Sequence, residues 1–429
     1  MKKLFILITV LAVLFSAVPA GATEKNLEAI TATTYLLADG TTGAVMLEEN
    51  GTTNLGVNNF AKIMTAVLAI EKFAPTDLLT FTEQTNKFYG NTFGNIANTA
   101  PGQQFTVLQH LQNMLLLYSD ASAVALGTAY SGSAEKFVDE MNKKAKAIGM
   151  KDTVFTSPDG HDDQGSAKTT VHDLYLLMRY AMKLPLFREI TATVRFAFPS
   201  FSGGEERTFT SRNHLLSKYT YSTYTYSSAK SGFISYNSDS ASYIGVAAQG
   251  NRTLYALVMN TPDDAQQVYK DVINLFEHGF NSHTSAILAK KGAFLHQVPV
   301  TGAMESSAVL VAEKDVSALL PVGYDEKKVT YKIKAPEKLK APVKKGETYA
   351  TATYYYDGNE LTALPLTAEK DLSFSPFGWI FRLFSGVNTL LILAIILVLI
   401  LWLHLHMKKQ RKKEELRRRK REILNESDK

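Results

Sequence analysis

The chain of 429 residues contains no cysteine. Catalysis by a thiol, stabilisation by disulfide bonds and metal binding through cysteine are therefore excluded. The sequence also has no glycine-rich phosphate-binding loop and no pair of residues with the spacing of zinc ligands. We therefore expect no cofactor and no metal site, and a fold that depends on its hydrophobic core.

The first 22 residues have the pattern of a secretory signal peptide. Lys2 and Lys3 precede an apolar run over residues 4–18, and the small residues Ala20 and Ala22 follow it. A basic start, a short apolar segment and small residues at the end are typical of a cleaved export signal. The run is short for a membrane span, so we predict export with cleavage after Ala22.

A second apolar run, over residues 387–405, is long enough to cross a bilayer, and Trp379 and Trp402 lie near its two ends. We predict a transmembrane helix over residues 380–406. Residues 407–429 then form a basic tail, and positive charge next to a span indicates the cytoplasmic side. The large part of the chain before the span is therefore expected outside the membrane, tethered at its C-terminus.

The net charge of +5 comes from this tail. Residues 408–429 contain 11 basic and 5 acidic residues, so the rest of the chain carries a net charge of −1. The basic balance indicates membrane topology, with possible help from anionic lipid, and does not indicate a nucleic-acid surface. We expect no nucleic-acid partner.

Between the two membrane signals the sequence pattern changes once. Residues 23–283 alternate strand-like and helical segments, with antiparallel strands predicted at both ends, which favours an α/β (α+β) domain. Residues 284–371 contain short β-like runs, and Asp357-Gly358 has the composition of a hairpin turn. A small all-β domain is therefore predicted between the first domain and the membrane.

Lys62 marks the start of the most informative helix. From Ile63 to Ile70 only Thr65 is polar, so this segment is predicted to be buried on nearly all sides. A buried lysine is costly unless it is paired or used in chemistry. The residue three positions earlier shares a helix face with Lys62, and it is Asn59.

Two further segments follow in order along the chain. Tyr118-Ser119-Asp120 lies inside residues 107–126, which have helical periodicity throughout. Lys230-Ser231-Gly232 lies between strand-like segments. Each tripeptide alone is a weak signal, so their value comes from their order after the buried lysine helix.

The order and separation of the three segments resemble the penicillin-binding proteins of the D-alanyl-D-alanine carboxypeptidase type, which carry Ser-x-x-Lys, Ser-x-Asn and Lys-Thr-Gly. Residues 147–155, 157–160 and 340–346 also look like segments of that family. The resemblance covers residues 27–371. It implies a penicillin-binding/serine β-lactamase-like transpeptidase domain, a small all-β domain, one C-terminal transmembrane helix, and a role in peptidoglycan (cell wall) metabolism.

In that family a serine is acylated, the lysine accepts its proton, and the third motif holds the carboxylate of the substrate. By this resemblance the nucleophile position falls on Asn59, the base on Lys62, and the second motif on Tyr118 and Asp120. The substrate-binding positions of the third motif fall on Lys230, Ser231 and Gly232. The resemblance therefore implies a degenerate active site.

Asparagine cannot form the ester that must later hydrolyse, and loss of a catalytic serine costs about 10⁶-fold in turnover. Asp120, if it lies near Lys62, would also keep that lysine charged. We therefore expect a catalytically inactive binder of the peptidoglycan stem peptide or of a cell-wall protein. Two alternatives stay open: an active carboxypeptidase with a displaced nucleophile such as Ser119, and a structural surface protein with a closed cleft.

Overall fold

The structure is a computed structural model, and it describes residues 30–82, 85, 102–198, 207–216, 226–236, 239–262, 265–377 and 387–427. The predicted signal peptide, residues 1–22, lies outside the described residues and stays a prediction. The chain divides into two compact units, residues 1–286 with 317–326, and residues 287–316 with 327–429.

A five-stranded antiparallel sheet is the centre of the first unit. Its spatial order is β2-β1-β9-β8-β7, and the strands are β1 (Thr34–Asp39), β2 (Val45–Glu49), β7 (Ala229–Tyr236), β8 (Ser240–Gln249) and β9 (Arg252–Pro262). The first strand pairs with β9 along its whole length. The predicted antiparallel strands at both ends of this domain are therefore confirmed, and they share one sheet.

Seven described helices accompany this sheet: α1 (Ala61–Lys72), α2 (Val107–Leu117), α3 (Asp120–Ser131), α4 (Ala134–Ile148), α5 (Val171–Ala181), α6 (Pro185–Thr191) and α7 (Ala265–Ser282). Helix α7 packs on β8 and β9. Two short two-stranded antiparallel sheets also belong to the unit: β3 (Leu78–Thr80) with β4 (Gln104–Thr106), and β5 (Arg195–Phe198) with β6 (Arg207–Thr210).

Local sequence signals explain where several helices begin and end. Thr106 forms a capping box with Gln109 at the start of α2, and Ser133 accepts a hydrogen bond from the backbone at the start of α4. Gly132 and Gly149 follow α3 and α4 with positive φ, where glycine costs least.

The prediction of continuous helical periodicity over residues 107–126 is wrong at one point. Tyr118 has a left-handed backbone with φ of 63°, which ends α2, and Ser119 caps the new helix α3 by accepting from the Ser122 N–H at 3.2 Å. The apolar pattern continues across the break because both helices pack into the same core. Periodicity alone therefore did not reveal it.

The second unit contains a six-stranded sheet with the order β14-β16-β17-β12-β11-β15. The strands are β11 (Phe294–Thr301), β12 (Ser307–Ala312), β14 (Val329–Lys334), β15 (Leu339–Lys340), β16 (Thr348–Tyr356) and β17 (Asn359–Ala368). Strands β10 (His283–Ala289) and β13 (Val316–Pro321) form a separate two-stranded sheet, and most of their residues belong to the first unit. Asp357 and Gly358 both have positive φ in the turn between β16 and β17, which confirms the predicted hairpin.

The last described element is the helix α8 (Val387–Ser427). Within its segment Leu390–Lys420, an 18-residue window has a mean hydropathy of 2.7 and no buried residues, so the helix is long and apolar enough to cross a membrane. The helix continues without a break through the basic residues that follow the apolar run. Residues 380–386 of the predicted span lie outside the described residues.

Candidate active site

Helix α1 carries Lys62 into the interior of the first unit. A 3-10 turn, Asn58–Phe60, leads into the helix, and Asn58 has a positive φ of 48°. Every residue from Ala61 to Ala69 is buried, as the almost unbroken apolar sequence predicts. Lys62 itself is only 1% exposed, so the protein must supply partners for its charge.

Three oxygen atoms surround the Lys62 amine. Its Nζ atom donates to Asn59 Oδ1 at 2.7 Å and to the carbonyl oxygen of Asp159 at 2.7 Å. Asp120 Oδ1 lies 2.7 Å from the same nitrogen and forms an ion pair with it. An ammonium group has three N–H bonds, so these three acceptors account for all of them.

The loop around Gly160 is tied to the start of α1. Thr65 Oγ1 donates to the Pro158 carbonyl oxygen at 2.6 Å, one helical turn after Lys62. Gly160 has a φ of +90°, and a Cβ atom there would lie 1.7 Å from the Asn58 carbonyl oxygen. This close backbone approach requires glycine. It also fixes the Asp159 carbonyl as a partner of Lys62.

Asp120 is the first residue of α3, next to the capping residue Ser119. A carboxylate in the first turn of a helix is stabilised by the unpaired N–H groups there. The end of α2 at Leu117 therefore matters for the site, because the new helix α3 begins with a side chain that reaches Lys62. Ser119 is 1% exposed, and its hydroxyl oxygen accepts from Ser122.

Tyr118 points away from Lys62 and toward strand β7. Its side chain is buried, and its hydroxyl oxygen accepts a hydrogen bond from the Ile234 N–H at 3.2 Å. Strand β7 is at the edge of the sheet among the described strands, so this N–H faces away from its partner strand β8. Burial raises the pKa of the Tyr118 hydroxyl above its ordinary value.

The third motif lies on β7, with an irregularity in the pairing to β8 between Ala229 and Ser231. Lys230 lies at this irregularity and is exposed. Ser231 is 1% exposed, and within the described ranges its hydroxyl has no hydrogen-bond partner. A Cβ atom on Gly232 would lie 1.8 Å from the Tyr243 hydroxyl oxygen, so any larger residue at that position must displace the Tyr243 side chain.

The structure brings these segments together to different degrees. Asn59, Lys62 and Asp120 are in direct contact, and the turn Asn58–Phe60 lies beside β7. Tyr118 reaches β7 at Ile234. Lys230 makes no hydrogen bond or ion pair with any residue that the structure describes.

The backbone partner of Lys62 at Asp159 was not predicted from the sequence pattern. Only Gly160 hints at it, since a glycine followed by a polar loop indicates an unusual backbone without saying what approaches it. Asn213 was also missed: its Oδ1 accepts from the Tyr243 hydroxyl at 2.5 Å, behind Gly232.

The arrangement restricts the chemistry at Lys62. In the described part of the chain no hydroxyl oxygen is among the hydrogen-bond partners of Nζ, and the nearest side chain on its own helix face is the amide of Asn59. The pair therefore lacks the hydroxyl that an acyl-transfer step through serine requires. Among the described residues no group of histidine, aspartate and glutamate could hold a metal ion.

Comparison with known proteins identifies the family. Residues 20–263 match the family model described as D-alanyl-D-alanine carboxypeptidase, and residues 284–373 match the C-terminal domain of penicillin-binding protein 5. The chain is 24% identical over 347 residues to D-alanyl-D-alanine carboxypeptidase DacF of Bacillus subtilis, covering 80% of this chain and 86% of the relative. It is 25% identical over 360 residues to DacA of Escherichia coli strain K12, covering 80% and 84%.

A solved structure supports the same fold. Penicillin-binding protein 5 from Haemophilus influenzae superposes with a TM-score of 0.71 at 23% identity, covering 81% of this chain and 98% of that one. The resemblance inferred from the three motifs is confirmed, as is the order of an α/β peptidase-like domain and an all-β domain. The chain therefore belongs to the D-alanyl-D-alanine carboxypeptidase family, whose members act on peptidoglycan.

Proposed function

We propose that this protein is a membrane-anchored, extracytoplasmic member of the family that binds the peptidoglycan stem peptide without hydrolysing it. The observation that carries this proposal is the environment of Lys62. Three oxygens, from Asn59, Asp120 and the Asp159 backbone, surround its amine. A base must contact the hydroxyl from which it takes a proton, and no described hydroxyl is among the partners of this lysine.

The size of the rate loss expected without a serine nucleophile supports inactivity. Removal of the nucleophile of a serine hydrolase lowers turnover about 10⁶-fold, which corresponds to roughly 8 kcal/mol of barrier. The interactions that survive such a loss are binding and electrostatic stabilisation, because neither requires a nucleophile. A family member with asparagine at position 59 can therefore keep ligand recognition.

Groups suited to recognition remain on β7. Lys230 is exposed and the Ser231 hydroxyl has no partner among the described residues. An unsatisfied buried hydroxyl costs about 1–3 kcal/mol, and a carboxylate is the strong acceptor that would relieve this cost. The C-terminal carboxylate of a stem peptide has the matching charge for Lys230.

The active-enzyme alternative has little support. Its candidate nucleophile Ser119 is buried, and its hydroxyl oxygen caps α3. The Thr65 hydroxyl donates to the Pro158 carbonyl oxygen. Neither hydroxyl is among the partners of Lys62.

One observation favours the other alternative, a structural surface protein with a closed cleft. The Tyr118 hydroxyl already occupies the Ile234 N–H on the free edge of β7. A peptide aligned along this edge could not accept a hydrogen bond from the Ile234 N–H. The test must therefore distinguish a protein that binds the peptide from one whose cleft is closed.

The first measurement uses the full-length protein in detergent. Incubation with a reporter penicillin should give no covalent adduct by intact mass, and a stable stoichiometric adduct would refute inactivity. Titration with a peptide that ends in D-Ala-D-Ala should give saturable binding, and the same peptide with an amidated C-terminus should bind at least tenfold more weakly. Absence of saturable binding would favour the closed-cleft alternative.

Variants assign the binding to β7. Lys230→Ala should weaken binding at least tenfold, whereas Lys143→Ala, which removes another exposed lysine in the same unit, should leave it unchanged. Equal losses in both variants would indicate nonspecific charge attraction in place of a carboxylate site.

The anchoring and topology rest on α8 and can be tested by cysteine accessibility. Because the protein has no cysteine, a single introduced thiol reports its own position. In intact cells a membrane-impermeant maleimide should label Lys143→Cys and should not label Lys413→Cys until the cells are opened. Labelling of both variants in intact cells would contradict the proposed orientation.

A further inference from the structure

Asn59, Lys62 and Asp120 form a set of chemically complementary side chains, which we name the amine–amide–carboxylate cluster. A primary amine, a carboxamide and a carboxylate meet at one point, with Lys62 Nζ 2.7 Å from Asn59 Oδ1 and 2.7 Å from Asp120 Oδ1. An amine next to a carboxamide can exchange with its nitrogen and form a new amide. The carboxylate is the proton carrier that such an exchange requires.

The surroundings favour this exchange over reaction with water. Lys62 is 1% exposed and the Asp120 side chain is 15% exposed, so the amine and the carboxylate are largely shielded from solvent. The Asp159 carbonyl fixes the amine from a third side. Groups held in contact in this way react with effective concentrations of about 10⁵ M or more when their alignment is productive.

Asn59 provides the route for the leaving group. It lies in the 3-10 turn before α1 and is only half-buried, so ammonia released from its side chain can reach solvent. Departure of ammonia into bulk water makes the exchange irreversible in practice. Lys62 and Asn59 are three residues apart, and the side chains already touch in the folded chain.

We infer that Lys62 and Asn59 become joined by an intramolecular isopeptide bond, formed by the folded protein itself with Asp120 as the proton carrier. Asp120 takes a proton from the Lys62 ammonium group, and the freed Nζ lone pair attacks Asn59 Cγ. The new Nζ–Cγ bond forms, and Asp120 passes its proton to Nδ2 and takes the second proton that Nζ must lose. The Cγ–Nδ2 bond breaks, and Nδ2 leaves as ammonia, which takes this last proton from Asp120 and enters solvent as ammonium. No oxidant or reductant takes part, and Asp120 returns to its carboxylate form.

This bond would give an exported protein without cysteine a covalent link at the start of its most buried helix. It does not depend on the proposed function, because the chain lacks a serine at position 59 whether or not the bond forms. It also uses a lysine that the family's reaction through serine would need, so it makes the inactivation permanent in the mature protein.

Mass spectrometry of the full-length protein tests the bond directly. The intact mass should be lower than the sequence mass of the mature chain by one ammonia, about 17 Da. Trypsin normally cuts after Lys62 and after Lys72, giving peptides 26–62 and 63–72. An acylated Lys62 is not a trypsin site, so we expect a single peptide 26–72 with the same mass deficit.

The missed cleavage separates this bond from ring closure of Asn59 onto its own backbone, which also loses ammonia but leaves Lys62 cleavable. Fragmentation of peptide 26–72 should give no breaks between residues 59 and 62, since the linked side chains hold the pieces together. Full cleavage at Lys62 and an unchanged intact mass in the denatured wild-type protein would overturn the inference.

Variants assign the roles. Asn59→Ala and Asp120→Asn should both restore cleavage at Lys62 and the full sequence mass. Glu140→Gln, the same acid-to-amide change at the exposed pair of Lys143 and Glu140, should leave the deficit unchanged. Asn59→Asp provides a variant that keeps the side-chain shape: the same linkage would then release water, about 18 Da, in place of ammonia.

Discussion

The two ends of the candidate site differ in how their polar atoms are satisfied. At the first motif the Lys62 amine has three partners within the protein, all at 2.7 Å. At the third motif Lys230 is exposed, and the Ser231 hydroxyl has no partner in the described ranges. Catalysis requires groups that are free to exchange protons, whereas recognition requires groups that are free to pair with a ligand. We propose that this chain has lost the first property and kept the second.

Energetics explain why the first region is closed on itself. A buried lysine left without a partner costs several kcal/mol, and breaking a buried pair from one side costs about 3–5 kcal/mol. Once serine is absent, the network around Lys62 is free to be optimised for stability. On β7 the Lys230 amine and the Ser231 hydroxyl lie on an edge strand, where a ligand can form hydrogen bonds with them.

The largest expected effect comes from attempts to reopen the first region. Asn59→Ser alone should restore little turnover, because the ion pair with Asp120 and the hydrogen bond to the Asp159 carbonyl still hold the Lys62 amine. A lysine that acts as a general base contributes about 10²–10⁴-fold to the rate. The double variant Asn59→Ser with Asp120→Asn removes the ion pair, so it should acylate about 10²-fold faster with a reporter penicillin than Asn59→Ser does.

A matched control for this pair is Asn59→Ser with Glu140→Gln, which changes an acid outside the site and should equal the single variant. Acylation rates are read from the adduct fraction over time. Rapid hydrolysis by Asn59→Ser alone would contradict the view that the region is closed by several interactions and not by one missing oxygen.

The second prediction compares the two regions through their glycines. Gly160→Ala must move the Asn58 backbone and accept a φ of +90°, so we expect a loss of about 3–5 kcal/mol in unfolding free energy. Gly232→Ala meets the side-chain hydroxyl of Tyr243, which can shift, and should cost about 1–3 kcal/mol. Denaturant unfolding monitored by circular dichroism gives both values. The reverse order would show that the first region is not the more rigid one.

Much of this architecture was predictable from local sequence. The antiparallel strands at both ends of the first domain, the buried helix at Lys62 and the turn at Asp357-Gly358 follow from periodicity and turn residues, and they are confirmed. The family was recognisable from three short motifs in order. These features depend on neighbours in sequence, so a single sequence contains them.

The unpredicted features depend on distant contacts. The Asp159 carbonyl that binds Lys62 lies 97 residues away, and the Tyr118 hydroxyl bonds a backbone N–H 116 residues away. A backbone partner leaves no side-chain signature. The break at Tyr118 was hidden because apolar residues recur in both helices and both helices share one core. The roles assigned to the motif residues stay predictions.

The third prediction probes the scaffold through His110, on the helix that leads to Tyr118. Burial between Phe81 and Phe105 lowers the pKa of His110 from 6.5 to about 4. Between these values the unfolded chain binds the proton more readily than the folded chain. The contribution of neutral His110 to the free energy of unfolding is therefore fully present above pH 6.5. It falls as the pH drops toward 4, by up to about 3 kcal/mol.

The measurement is the free energy of unfolding across that pH range for the wild type and for His110→Leu. The variant should lose this part of the pH dependence while the contributions of other groups persist. Equal slopes in the two proteins would show that His110 is not held neutral by its burial. His110 lies outside the three motifs. The pH dependence of stability that it causes therefore shows how much of any pH effect on ligand binding comes from the scaffold.

The smallest expected effect concerns the contact that joins the two regions. Tyr118→Phe leaves the ring in place but removes the acceptor of the Ile234 N–H, which costs about 1–2 kcal/mol in unfolding free energy. The same change frees an N–H on the edge of β7.

If the hydroxyl only closes the cleft, Tyr118→Phe should gain binding of the D-Ala-D-Ala peptide that the wild type lacks. If the wild type already binds through Lys230 and Ser231, the affinity should change less than threefold, because the contact at Ile234 lies beyond the carboxylate position. Titration of both proteins with that peptide therefore distinguishes an open recognition site from a sealed one.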